Sequence, residues 1–143
     1  MQLSRFTDYT LRVLFYAAIH NDRLVTLSEI ANYYDISIEH LRKVVHALAK
    51  SGYLATFRGK KGGIKLAQAT AEINLADIVN QSEGSQPLIN CAEQTCCLTN
   101  QCSLQEVLVE AQQAFIKVLE KYTLEDLLTN PKMRTLLIAR SAG

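Results

Sequence analysis

The chain has 143 residues, of which 48% are hydrophobic and 20% are charged, and its formal net charge is +1. This length suits one domain or one domain with an appendage, and the composition excludes an intrinsically disordered protein. The longest apolar run is far shorter than the ~20 residues that cross a bilayer, and the N-terminus lacks a signal-peptide pattern. We therefore expect a cytoplasmic protein that makes no membrane contact.

Two helices are predicted at the start of the chain. Apolar residues recur at three- and four-residue spacing over residues 6–20, which is typical of an amphipathic helix. Thr26 is followed three residues later by Glu29, a capping-box pattern that opens a short helix, Leu27–Tyr34. The next two residues, Asp35 and Ile36, are expected to form a turn.

A third helix and a β-hairpin are predicted next. Ser37 caps a helix that runs to about Lys50, and Gly52 lies where a C-terminal glycine stops a helix. Two short runs of β-type residues then flank a turn that contains three glycines, which is typical of a hairpin. The runs are residues 53–57 and 64–66, and the turn is residues 58–63.

Helices joined by a tight turn and followed by a hairpin are typical of a winged helix-turn-helix, which binds double-stranded DNA. The apolar residues of the third helix mark its buried face, and its polar face suits a major groove. The polar residues predicted at the DNA are Ser37, Glu39, His40, Arg42 and Lys43, with His46 beside them. A pair of helices that merely pack together is the structural alternative.

The tip of the hairpin is predicted to be the wing. It contains Arg58, Gly59, Lys60 and Lys61, of which Arg58 is expected in the minor groove and the lysines on phosphates. Residues 1–70 carry a net charge of +5 and residues 71–143 a net charge of −4. A basic turn on its own is common on surfaces, so the prediction of DNA binding depends on the charge excess and the order of the elements together.

A helix is predicted at about residues 75–82, and a loop follows it. All four cysteines of the chain fall within twelve residues near the end of this loop. They are Cys91, Cys96, Cys97 and Cys102. Thiols stay reduced in the cytoplasm, so this density indicates metal or redox chemistry, and soft thiolates bind zinc, Cu(I) or iron–sulfur clusters. Because Cys96 and Cys97 are adjacent and point differently, we expect three ligands and one spectator. The spacing lacks zinc knuckles and suits a cluster better, while cysteines packed as small hydrophobes are the alternative.

The following residues predict a long helix over 103–122 whose apolar side has heptad spacing. The members of this seam are Leu104, Leu108, Ala111, Phe115, Val118 and Tyr122. A small winged-helix domain cannot bury such a stripe, so we expect a dimerisation helix that gives the two-fold symmetry of a palindromic operator. A short helix at 124–128 follows, Pro131 closes the helical pattern, and 136–139 form an apolar tail.

Three segments are therefore expected: a DNA-binding domain at 1–70, a connecting helix with the cysteine loop at 71–102, and the dimerisation helix with its tail at 103–143. Nothing in the sequence supplies a Gly-rich phosphate loop, a nucleophile elbow or paired carboxylates. We do not expect an enzyme.

Several motifs resemble one known family. The opening MQL..FTDY..LR, the wing RGKKGGIKL, the cysteine run NC-x4-C-x5-C and the later YTLEDLL are similar to those of the bacterial winged-helix iron–sulfur transcriptional regulators. The likeness covers nearly the whole chain and is greatest with their nitric-oxide-sensing repressors. It implies a homodimer in which Cys91, Cys96 and Cys102 hold a [2Fe–2S] or [4Fe–4S] cluster. It further implies a non-cysteine fourth ligand, for which the partner subunit's Asp8 is the candidate.

The resemblance also has departures and alternatives. The sister group that regulates cluster assembly has a histidine three residues after the last cysteine, where this chain has Gln105. Cys97 is extra, and Thr10 stands where glycine is common. A carboxylate is a hard, weakly held ligand beside three thiolates, so nitric oxide is expected to displace Asp8 and release operator DNA. A regulator of iron–sulfur supply and a thiol or zinc switch remain the competing interpretations.

Overall fold

Residues 1–139, the part of the chain that the computed structural model describes, form seven α-helices, a short 3₁₀ helix and one two-stranded sheet. The helices are α1 Arg5–Ile19, α2 Leu27–Tyr34, α3 Ile38–Lys50, α4 Leu75–Glu83, α5 Ser103–Leu119, α6 Leu124–Leu127 and α7 Pro131–Ala139, the strands are β1 Leu54–Phe57 and β2 Gly63–Leu66, and the 3₁₀ helix is Thr70–Glu72. The predicted mainly helical fold with a hairpin is confirmed. The last four residues of the expected 103–143 segment lie outside the described range.

Local capping explains why the first three helices begin where the sequence predicts. Ser4 and Thr26 each accept a hydrogen bond from a backbone N–H in the first turn of their helix, at 3.2 and 3.1 Å. Ser37 Oγ accepts from the third residue of α3 at 3.5 Å. The capping box at Thr26 is only half formed, because the Glu29 carboxylate binds Arg23 instead of returning to the cap. A cap depends on neighbours in sequence, which is why it can be predicted.

The hairpin depends on close backbone approach. β1 and β2 are antiparallel, and β2 also exchanges two backbone hydrogen bonds between Ile64 and Val25, at 2.7 and 2.9 Å. Gly59 has φ +100°, a conformation that side chains disfavour. A Cβ at Gly62 would lie 2.2 Å from the carbonyl oxygen of Phe57, so a side chain there requires the backbone to move. The glycines therefore determine the shape of the tip.

The core is built around α1, which packs against α3, α4, β2 and α7. One cluster of buried apolar side chains includes Val13, Leu14, Tyr16, Ala17, Val25, Ile30, Leu41, Val44, Val45, Leu48, Leu54, Ile64, Ile73, Ile78, Leu124, Leu128 and Leu137. The helix-turn-helix, the hairpin and the C-terminal helices therefore share one core. Within residues 1–139, none of the helices combines the length and the apolarity that crossing a bilayer requires.

The C-terminal helix α7 corrects the sequence prediction. Pro131 does not close a helical pattern but is the first residue of a helix, and residues 136–139 are not a tail. Asn130 Oδ1 accepts from two backbone N–H groups of the first turn at 3.1 and 3.2 Å, and proline suits a first helical position because its missing N–H is not needed there. Leu137 is 4% exposed in the core, and the Tyr33 hydroxyl donates to the Leu136 carbonyl at 3.1 Å. The helix thus docks on the N-terminal half.

Candidate nucleic-acid interface and cysteine loop

Helix α3 has one buried and one exposed side, as a recognition helix needs. Its apolar residues Leu41, Val44, Val45 and Leu48 lie in the core. The polar residues named from the sequence share the outer side: Glu39, His40, Arg42, Lys43 and His46 are exposed, and Ser37 is exposed at the N-cap. Arg42 forms an ion pair with Glu39, whereas Lys43 forms no ion pair among residues 1–139.

The hairpin turn presents the second basic surface. Arg58, Gly59, Lys60 and Lys61 are all exposed, and none of the three cations forms an ion pair within the described part of the chain. β1 packs against α3, which connects this turn to the helix-turn-helix. The structure therefore places two sets of polar residues on neighbouring elements, with their charges available to a polyanion.

The predicted fourth ligand, Asp8, lies in the first turns of α1 and is held by Arg12. The Arg12 guanidinium contacts the two Asp8 carboxylate oxygens at 2.9 and 3.0 Å. It also lies 5.9 Å from the ring centroid of Tyr9 and 5.6 Å from that of Tyr34, and the Tyr9 ring lies 6.0 Å from His40 of α3. Sequence reasoning missed this set, although the i, i+4 spacing of Asp8 and Arg12 is a local signal.

Burial raises the pKa of the Tyr34 phenol, whose hydroxyl donates to the Arg12 carbonyl at 3.0 Å. A phenol is already protonated at neutral pH, so this hydroxyl is a hydrogen-bond donor. It joins the C-terminal end of α2, just before the turn of the helix-turn-helix, to α1.

A second polar network fixes the other end of α2 on α1. The Tyr16 hydroxyl donates to Glu29 Oε2 at 2.9 Å, and Arg23 donates to both Glu29 oxygens at 2.9 and 2.8 Å. The hydrogen bond from Arg23 holds the pKa of Glu29 below its ordinary value, and burial raises the pKa of Tyr16. This network holds the helix-turn-helix together, and the sequence offered no signal for it beyond the cap at Thr26.

The four cysteines lie on the loop that precedes α5 and are all free thiols. Cys91 and Cys102 are half-buried, whereas Cys96 and Cys97 are exposed. The Cys96 carbonyl accepts from the backbone and the hydroxyl of Thr99 at 3.3 and 2.9 Å, which forms a local turn. Nowhere in residues 1–139 do three or more His, Cys, Asp or Glu side chains converge on one metal-sized point. The structure therefore puts the predicted thiol ligands on one loop but does not bring them together.

Cys102 has a distinctive position, because it is the N-cap of α5 and makes no side-chain capping bond. The first-turn N–H groups of a helix attract negative charge. A thiolate-bound group at Cys102 would lie at this end of α5. The donor chemistry and this position both suit an iron–sulfur cluster.

Helix α5 buries none of its residues. Of the predicted seam, Leu104, Ala111, Phe115, Val118 and Tyr122 are exposed and Leu108 is half-buried. An open groove of about 470 Å³ runs beside this seam, between the first three residues, α4, and the α5 residues Leu108 and Phe115. An unpartnered apolar surface of this kind is typical of an interaction site.

The C-terminal end of α5 differs slightly from the prediction, whereas its start at Ser103 agrees with it. The helix stops at Leu119 instead of Tyr122, because the following residues bind the start of α4. The Tyr122 carbonyl accepts from the Leu75 backbone N–H at 3.0 Å, and Asn74 Nδ2 donates to the Glu120 carbonyl at 2.9 Å. A long-range contact of this kind leaves no trace in the local sequence pattern.

Comparison with known proteins adds a family and several relatives. Residues 3–130 match the model of the Rrf2 family, described as an iron-dependent transcriptional regulator. The chain is 46% identical over 134 residues to the HTH-type transcriptional regulator NsrR of Halalkalibacterium halodurans, covering 91% of this chain and 92% of that protein. It is 40% identical to NsrR of Bacillus licheniformis, covering 91% and 94%. Because the relatives are transcriptional regulators, the prediction of a regulator and not an enzyme is confirmed.

Solved structures show the same fold. The T. potens IscR structure superposes with a TM-score of 0.73 at 25% identity, covering 91% of this chain and 88% of that one. CymR, described as the global cysteine regulator of B. subtilis, also gives 0.73 at 25% identity, covering 90% and 97%. The winged-helix architecture expected from the sequence is therefore confirmed.

Proposed function

Because the chain belongs to the Rrf2 family of iron-dependent transcriptional regulators, we propose that it is a repressor that releases operator DNA when its iron–sulfur cluster meets nitric oxide. The observation that carries this proposal is the combination of a free polar side on α3, a free basic turn and a thiol-rich loop on one chain. The relatives named NsrR support it. We also propose that the protein is located in the cytoplasm, because its operator DNA lies there.

At the DNA, α3 enters the major groove with its N-terminal turn foremost. Ser37, Glu39 and His40 lie in that turn and read base edges, while Lys43 reaches either a base or a phosphate. Arg42 keeps its ion pair with Glu39 or exchanges it for a base. Arg58 enters the minor groove, and Lys60 and Lys61 neutralise phosphates.

The operator is palindromic because the repressor is a homodimer. Residues 84–123 contain no buried side chain, although α5 alone exposes Leu104, Val107, Phe115 and Val118. A stable protein–protein interface buries about 800 Å² on each partner, and a 17-residue helix with an apolar side supplies much of such a surface. A second copy that packs along α5 gives both helices the burial that one protomer does not provide.

Cys91, Cys96 and Cys102 are the residues that hold the cluster, with Cys97 outside the ligand set. The loop leaves all four thiols free, and Cys102 offers an anionic ligand to the N-terminus of α5. An iron–sulfur cluster at these thiolates supplies iron that reacts with nitric oxide. Because the loop runs directly into α5, a change of its shape acts on the dimer helix.

Asp8 from the partner subunit is the proposed fourth ligand. Arg12 orients its carboxylate through two contacts, and the carboxylate is half-exposed and accessible to another chain. Asp8 lies on α1, which packs against the recognition helix α3. A ligand on α1 therefore ties the cysteine loop of one protomer to the DNA-binding elements of the other.

The test begins with the full-length protein purified without oxygen. Visible absorption with iron and sulfide assays should show a cluster that bleaches with nitric oxide, and fluorescence anisotropy should show release of a duplex bound before the addition. Cys91→Ser should abolish the colour, whereas Cys97→Ser, the matched control on the same loop, should keep it. Asp8→Ala should keep the colour and lose most of the response of DNA binding.

Three results would contradict parts of this proposal. A stable cluster indifferent to nitric oxide would replace it with a regulator of iron–sulfur supply. A protein that stays colourless after anaerobic reconstitution would leave a thiol or zinc switch on an intact DNA-binding fold. A normal nitric oxide response in Asp8→Ala would refute the role of Asp8 alone.

A further inference from the structure

The N-terminal turn of the recognition helix touches α1 through two aromatic rings. His40 is the third residue of α3, its backbone N–H donates to Ser37 Oγ at 3.5 Å, and its side chain is exposed. The imidazole ring nevertheless lies against the half-buried ring of Tyr9, with centroids 6.0 Å apart and planes at 34°. The guanidinium of Arg12 also lies over the Tyr9 ring, 5.9 Å from its centroid.

This contact has a physical consequence for base reading. An exposed side chain samples several rotamers and must lose that freedom when it binds, which weakens affinity. A tilted ring pair at this distance is attractive and restricts the imidazole to fewer orientations. Residues in the first turn of a recognition helix contact base edges. The orientation of the His40 imidazole is therefore restricted at a position where it decides which base the side chain binds.

We propose that Tyr9 is a positioning residue that holds the His40 imidazole in the orientation that reads a base of the operator. Tyr9 does not touch DNA in this role but acts through His40. The inference rests on the proposed function, in which α3 enters the major groove. The Tyr9 ring also contacts Arg12, which forms the ion pair with Asp8.

The experiment uses the full-length protein, with its cluster kept in the same state in every measurement. Wild type first selects a binding site from a library of random duplexes. Fluorescence anisotropy then measures the affinity of each variant for that site, for single-base substitutions within it and for a random duplex, over a series of salt concentrations. The variants are Tyr9→Leu, Tyr9→Phe, His40→Ala and the double variant with Tyr9→Leu and His40→Ala.

Tyr9→Leu should lower the preference for the selected site about tenfold, with the loss confined to the base that His40→Ala also affects. Tyr9→Phe keeps the ring and should behave as wild type. The double variant should lose no more than His40→Ala alone, because Tyr9 acts only through His40. Affinity for the random duplex and its salt dependence should not change in any variant.

Two kinds of result would overturn the inference, and they are distinguishable from a failure of the proposed function. Equal losses on selected and random duplexes, or losses that add in the double variant, would show that Tyr9 merely supports the fold. Circular dichroism of each variant separates such a loss of fold from a loss of reading. If wild type selects no sequence at all, the proposed function fails, and the positioning role fails with it.

Discussion

Residues 5–83 and residues 84–123 differ in whether they bury their apolar side chains, although similar sequence patterns predict helices in both. The first region places apolar side chains from α1, α3, α4 and the hairpin in one core. The second region, which contains the cysteine loop and α5, has no buried side chain at all within its forty residues. Both regions carry apolar residues at helical spacing, so the contrast does not come from composition.

Helices α3 and α5 show what this contrast teaches. In α3, Leu41 is fully buried, whereas in α5, Leu104 and Val118 are 56% and 51% exposed. An amphipathic pattern reports that a helix has an apolar partner but does not report which chain supplies it. We therefore expect substitutions in the first region to lower folding stability and those on α5 to change association.

The largest effect should come from the core of the first region. Leu41→Ala should lower the free energy of unfolding by about 2–5 kcal/mol, because it leaves a cavity among packed side chains. Leu98→Ala is the matched control in the second region, where the leucine is 55% exposed, and should change stability by less than about 0.5 kcal/mol. Urea unfolding followed by circular dichroism measures both. Equal losses would mean that the loop contributes to the core in solution.

A charge on the exposed seam of α5 should act on association. Val118→Glu should raise the dimer dissociation constant at least about tenfold, since an unpaired carboxylate is costly in an apolar interface. Gln113→Glu adds the same charge away from the seam and should leave the constant unchanged. Sedimentation equilibrium distinguishes the two. If both variants dissociate alike, the seam is not the interface.

A substitution in the wing should change the salt dependence of DNA binding but not its sequence preference. Lys60→Ala should reduce the slope of log affinity against log salt by about one, because one phosphate contact is lost. The preferred site should stay the same. Gln68→Ala, on the segment after the hairpin, adds no charge change and should keep the wild-type slope. A changed sequence preference in Lys60→Ala would instead assign the lysine to a base.

The smallest effect should come from the carboxylate that joins α1 and α2. The hydrogen bond from Arg23 holds the pKa of folded Glu29 below the ordinary value of a glutamate carboxyl. The stabilisation is therefore fully present above that value and is lost as the pH falls through the lower folded pKa. Glu29→Gln should remove this part of the acid dependence. It should lower the free energy of unfolding at neutral pH by less than about 1 kcal/mol, because the pair is partly exposed.

Thermal unfolding of wild type and Glu29→Gln at a series of pH values between about 3 and about 6 measures this difference. Arg23→Met should remove the same part, and the double variant should lose little more than either single variant. A difference that stays constant over this range would show that Arg23 does not control the ionisation of Glu29.

Much of the fold was predictable because its determinants are local. Caps at Thr26 and Ser37, glycines at the wing, and the periodic apolar residues of α3 all act within a few positions of one another. Helix α7 is not predicted, because a proline after a helical pattern is typical of a stop, although Asn130 before Pro131 is a local start signal.

The candidate site was predictable only as a set of residues. The sequence indicated Asp8 and the cysteines by type and spacing, but it did not predict that Arg12 holds Asp8 or that Tyr9 lies against His40. The pair of Asp8 and Arg12 is local to α1, whereas the contact of Tyr9 with His40 joins α1 to α3, which are separated by another helix in the chain. Side chains that meet across helices follow from packing angles, which no local pattern specifies.

By itself, the sequence determined the order of helices and hairpin, the outer polar side of α3 and the grouping of four thiols on one loop. The tertiary structure decided that the C-terminal helices enter the N-terminal core and that α5 buries none of its residues. It also decided that α1 touches both helices of the helix-turn-helix. The physical reason is that caps and the hydrogen bonds within a helix depend on neighbours in the chain, whereas burial depends on neighbours in space.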